Sequence, residues 1–151
     1  MADSKYLKQQ IEPHVQEWLR KRFGVRFSRQ SVPLSEHGAK GQHQFAAVSE
    51  DGKIVASVKS LSGRTSGDNL PSAKINSAYA EVYYLSLVQA EKRLLVLTDF
   101  EFYGLFCKQS EGKVVRSVDI LHCPLPPELE RVKVAVRVAA SAEIDDGKAR
   151  V

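Results

Sequence analysis

Residues 41–60 read Gly41-Gln-His-Gln-Phe-Ala-Ala-Val-Ser-Glu-Asp-Gly-Lys-Ile-Val-Ala-Ser-Val-Lys-Ser60. Two β-rich runs, 43–50 and 53–60, flank Asp51-Gly52, and Asp-Gly between apolar runs is the strongest short-range hairpin signal. Counting outward from a two-residue turn pairs Val48 with Val55, Ala46 with Ser57 and Gln44 with Lys59. Side chains two apart share a face of a strand, so Gln44, Ala46, Ser57 and Lys59 are expected to form one patch. The other face then carries Phe45, Ala47, Ile54, Ala56 and Val58. Both faces are largely apolar, which places the hairpin inside a sheet rather than at its edge.

Upstream, Leu7, Ile11, Val15, Trp18 and Leu19 recur at helical spacing, so 4–23 reads as an amphipathic helix that Gly24 can stop. Residues 25–34 read as a strand ending near Pro33, followed by a polar loop over 35–42. Downstream, a Gly/Ser-rich loop covers 61–71, and Pro71-Ser72 opens a helix over 72–91 with Ala78, Tyr79, Val82 and Leu85 on its inner side. Arg93–Thr98 is a continuous apolar run, the mark of a strand covered on both faces. Asp99 can cap a short helix over 100–108, and a strand follows at about 114–121. The end is ambiguous. Val132, Val134, Val136 and Val138 alternate like a strand, whereas Pro126-Pro127-Glu128 opens a helix and 139–144 is rich in helix formers; a helix over 127–144 is the favoured reading. This order predicts a single α/β domain spanning 1–151, a three-layer α/β/α sandwich around a mixed sheet of about five strands.

Composition narrows the class. A chain of 151 residues with 43% apolar content can bury one real core. No window approaches the ~20 apolar residues of a membrane span, and the polar start lacks a secretory layout, so a cytoplasmic protein is expected. Cys107 and Cys123 lack CxxC spacing and read as buried thiols, and the scattered His14, His37, His43 and His122 make a zinc site improbable on spacing. No Walker loop, nucleophile elbow or dinucleotide fingerprint is present. The net charge of +4 is concentrated in residues 1–34, where seven basic residues face three acidic ones, while the remainder is neutral. Such a basic end, with Arg26 and Arg29, can attract phosphates, although Arg20, Lys21 and Arg22 also suit a helix C-terminus.

The hairpin stretch resembles the PD-(D/E)xK, restriction-endonuclease-like nucleases. In that family the first strand carries an aspartate in a His-x-Phe-Asp-like context, and the second carries an acid-x-Lys. The Gly/Ser loop, the long helix and the Leu-Leu-Val-Leu-Thr-Asp strand end extend the likeness over about 7–108. The resemblance implies that Lys59 is the family's lysine, which stabilises charge or orients water. It also implies that Ala46 stands at the aspartate position and Ser57 at the acid before x-Lys, with Glu12 or Glu17 as the helix glutamate. A methyl and a hydroxyl cannot supply the anionic oxygens that Mg²⁺ takes. A catalytically silent, pseudo-nuclease module without cofactor is therefore expected, binding DNA, RNA or a protein partner. Lys59 would sit in an unusually positive pocket, with Arg64, Thr65, Ser66 and Asn69 of the Gly/Ser loop as phosphate-contacting types. The alternatives are a Mg²⁺-dependent nuclease with relocated acids drawn from Glu12, Glu17, Asp68 and Glu81, and a structural or regulatory subunit that dimerises.

Overall fold

A computed structural model describes residues 2–61 and 71–131. The chain opens with α1 (Ala2–Phe23), and Gly24 ends it with φ +73° while its N–H donates to the Arg20 carbonyl at 2.8 Å. A left-handed residue at this point is what lets the chain reverse without a Cβ clash. Then follow β1 (Phe27–Pro33), β2 (Gln42–Ser49), β3 (Ile54–Lys59), α2 (Ser72–Ser86), β4 (Lys92–Leu97), α3 (Phe100–Gln109) and β5 (Val118–His122). A further helix begins at 127. The choice between helix and strand at 132–138, like the Gly/Ser-loop residues Arg64, Thr65, Ser66, Asp68 and Asn69, falls outside the described residues.

The five strands form one sheet in the order β1-β2-β3-β4-β5. The first two pairings are antiparallel and the last two parallel, so the sheet is mixed. Parallel neighbours need crossovers, which α2 and α3 supply. Ile11, Val15 and Leu19 of α1 pack on Ala47, Ile54, Ala56, Leu94 and Val96. Val82 and Leu85 of α2 with Phe102 and Phe106 of α3 pack on Val48, Val55, Leu95 and Leu97 from the other side. Alternate residues of β3 and β4 thus serve opposite helical layers, which explains why Leu94–Leu97 is apolar throughout.

Several boundaries differ from the sequence expectation, each for a local reason. The helix α2 stops at Ser86, not 91. The Leu87 carbonyl instead accepts the N–H groups of Ser35 and Glu36 at 2.9 and 3.0 Å, and the Val88 carbonyl accepts the Arg93 guanidinium at 2.7 and 3.0 Å. The strand β5 starts at Val118, not 114, because tight turns occupy the approach: Lys113 N–H donates to Ser110 and Val118 N–H to Val115. The Asp99 cap holds, its carboxylate accepting the Phe102 N–H at 2.9 Å.

The hairpin keeps the expected register, with Val48 opposite Val55 and Ala47 opposite Ala56. Its connection is wider than two residues. Gly52, at φ +74°, donates to the Ser49 carbonyl, and β3 begins only at Ile54. Side chains replace the missing ladder bonds. Ser49 Oγ accepts the Ile54 N–H at 2.9 Å and donates to Asp51 Oδ1 at 2.7 Å, which also accepts the Lys53 N–H at 3.0 Å.

The larger correction lies at the other end of the hairpin. Between β1 and β2, Ser28 faces Val48 and Gln30 faces Phe45, so Ala46 and Ala47 together oppose Arg29 alone. That is a β-bulge, and the extra residue reverses the inside–outside parity beyond it. Phe45 therefore joins Val48 and Val55 under α2, instead of sharing a face with Ala47. The β2–β3 ladder does not continue to Ala46 and Ser57.

Candidate functional site

Where the β2–β3 ladder ends, a cleft of about 70 Å³ opens, lined by Glu12, Arg29, Gln44, Ala46, Ser57, Val58, Lys59 and Glu81. Gln44, Ala46, Ser57 and Lys59 do come together here, but not as one patch on one face. Ser57 and Lys59 turn toward α2, and Gln44 turns toward Arg29 and α1. The four residues meet across the seam between two strands.

On the α2 side Glu81 is the hub. Its Oε2 accepts the Ser57 hydroxyl at 2.8 Å and lies 3.2 Å from His43 Nε2, and its Oε1 lies 3.9 Å from Lys59 Nζ. The residue stands three after Ala78 and four before Leu85, so it rides on the inner stripe of α2 with its carboxylate only 17% exposed. A carboxylate so shielded requires partners, and it has three. His43 is itself fixed, stacked on Tyr84 at 3.8 Å between ring centres and meeting Phe45 edge-on at 4.8 Å.

On the α1 side, Arg29 reaches back from the bulge to Glu12 Oε1 at 2.6 Å and donates a second hydrogen bond to Gln44 Oε1 at 3.2 Å. Gln16, one helical turn beyond Glu12, donates its side-chain amide to the Ala46 carbonyl at 2.9 Å. Glu12 is therefore the α1 acid at the cleft. Glu17 is not: it accepts two hydrogen bonds from the Arg20 guanidinium, which hold its carboxyl below the usual carboxylate range. Glu17, Arg20 and Arg26 line a separate, wider depression of about 390 Å³ with Pro13, Gln16 and Phe27. Arg26 and Arg29, grouped together by sequence, thus serve different hollows.

The pocket around Lys59 is charge-balanced rather than strongly positive. Lys59 is faced by Glu81, and Arg29 by Glu12. Among the described residues, no group of three or more His, Cys, Asp or Glu side chains is arranged to hold a metal ion. His43 and Gln16 join the site without being expected there from the sequence. An acid on an apolar helical stripe was the available signal for Glu81; nothing local marks Gln16, whose partner is a carbonyl 30 residues away.

Comparison with family models, curated proteins and solved structures gives no match.

Proposed function

We propose that the chain is a restriction-endonuclease-like module that binds nucleic acid without cutting it. The reading is supported by the sandwich of helices around a mixed five-stranded sheet and, above all, by the chemistry of the cleft. Lys59 is present, whereas Ala46 and Ser57, the positions that the resemblance would give to carboxylates, carry a methyl and a hydroxyl. The two carboxylates that remain are engaged, Glu12 with Arg29 and Glu81 with Ser57, His43 and Lys59. A divalent cation would have to displace those partners before gaining the oxygen ligands it requires. What the cleft offers a ligand is two cations, each paired with a carboxylate, and hydrogen-bonding groups: Arg29, Lys59, Gln44 and Ser57 are all types that contact phosphate and sugar. Such contacts confer affinity without sequence selection.

A second reading keeps one specific support. Glu12 and Glu81 line the same cleft as Lys59, so relocated acids would make this a Mg²⁺-dependent nuclease. One paired assay separates the two. Single- and double-stranded DNA and RNA are incubated with the protein, with and without Mg²⁺ or Mn²⁺, and both cleavage and salt-dependent binding are measured. Binding that weakens with salt and with Lys59→Ala, without cleavage, supports the silent module. Metal-dependent cleavage lost in Lys59→Ala and Glu81→Gln establishes the nuclease. Failure to bind any nucleic acid would reject both and leave the structural or regulatory subunit.

A further inference from the structure

We propose that phosphate uptake in this cleft is proton-gated, with His43 as the group whose protonation releases Lys59 from Glu81. The inference rests on the reading of the cleft as a nucleic-acid site and adds its regulation.

The geometry is a three-way competition for one carboxylate. Glu81 carries a single negative charge, with His43 Nε2 at 3.2 Å from one oxygen and Lys59 Nζ at 3.9 Å from the other. While His43 is neutral, the only cation facing Glu81 among the described residues is Lys59, and the pair cancels. Across the cleft Glu12 and Arg29 cancel as well. Protonating His43 places a second cation against Glu81, nearer than Lys59, and leaves the cluster with one net positive charge. Tyr84 on its face and Phe45 at its edge favour the orientation that keeps the imidazole against Glu81. The groups around His43 are therefore Glu81 and Tyr84 from α2 and Lys59 of β3 beyond the carboxylate, with the Glu12–Arg29 pair of α1 and β1 on the far side.

The space suits a phosphate. The cleft, about 70 Å³, is open to solvent and lined by groups that hydrogen-bond a phosphate oxygen, Ser57 and Gln44 beside Lys59 and Arg29. Lys59 and Arg29 both line it. Histidine is the side chain that changes charge between about pH 5 and 8, a range over which a phosphodiester keeps its charge. Lowering the pH through that range thus strengthens the attraction from the protein side alone.

Anisotropy with labelled single-stranded DNA and RNA oligonucleotides, at constant ionic strength and at about pH 8 and about pH 5.5, tests the gate in wild type, His43→Gln, Glu81→Gln and Lys59→Ala. Wild type should tighten by about five-fold at the lower pH, the effect of one charge about 4 Å from a phosphate in water. His43→Gln should lose that gain, retaining only the small response of the distant His14, His37 and His122. Glu81→Gln should bind tightly at both values. Because a variant can also disturb packing, the His43 ring resonances of wild type supply a second readout: at a fixed pH between the two values, adding oligonucleotide should move them toward the positions they take at the lower pH. An equal pH response in wild type and His43→Gln, with no such movement, overturns the gate while leaving the site in place. Binding that is absent at both pH values, or untouched by Lys59→Ala, overturns the underlying site instead.

Discussion

The side-chain amide of Gln16 donates to the main-chain carbonyl of Ala46 at 2.9 Å, tying α1 to the bulged residue of β2. Since the β2–β3 ladder ends at Ala47, this bond serves a carbonyl at the point where ladder partners run out. Gln16→Ala should cost about 1–2 kcal/mol, the penalty of leaving a shielded acceptor unpaired. Gln16→Glu should cost more, because a carboxylate cannot donate. Urea unfolding of both variants measures this, and equal stability of all three proteins would show that water serves the Ala46 carbonyl equally well.

Introducing acids provides a direct test of the cleft. In Ala46→Asp/Ser57→Glu, the glutamate introduced on β3 forfeits the hydroxyl bond to Glu81 and adds a like charge, so the melting temperature in chelator should fall. Mg²⁺ or Mn²⁺ should then raise it, by an amount equivalent to about 2.7 kcal/mol when the ion is at 100 times its Kd. Calorimetry that detects no metal binding would mean that side chains at 46 and 57 do not converge.

Asp51 carries the acid sensitivity of the hairpin. Its carboxyl is held below the ordinary aspartate value, first by the Ser49 hydroxyl and then by the Lys53 N–H. A depressed folded-state pKa contributes stability above the unfolded value of about 3.9, and that contribution is lost as pH falls through the folded value. Asp51→Ala should therefore be less stable than wild type at neutral pH, and the gap should close under acid conditions below about pH 3.9. A gap that stays constant with pH would assign the effect to turn shape alone.

The two cysteines should react unequally. Cys123 is fully buried, and burial pushes its thiol up to about 12. Cys107 is half-buried on α3. Alkylation of native protein near pH 8 should modify Cys107 in preference, with Cys123 reacting only on unfolding. Equal labelling rates would indicate that the segment after β5 opens readily.

Much of the architecture can be read from the chain because burial on both sides leaves a plain mark. The unbroken apolar run from Leu94 to Leu97 belongs to β4, flanked by neighbours and covered by two helical layers. Asp99 caps α3 through the bond its position suggests. What escapes the sequence is decided by distant partners. Leu87-Val-Gln-Ala90 has no helix breaker, yet α2 ends before it because Ser35, Glu36 and Arg93 take the carbonyls. The choice between Glu12 and Glu17 likewise waits on Arg29, which the bulge aims at Glu12. The bulge itself is hidden, since Phe45-Ala-Ala-Val48 is apolar at every position and carries no alternation to betray a change of parity.

That pair of alanines has a wider consequence. Deleting either would leave Phe45 in the core yet allow β2 to go on hydrogen-bonding with β3 past Ala56, zipping the seam shut. The opening is thus a property of the main-chain path, so exchanging the surrounding side chains can strip away a chemistry while the keyhole endures.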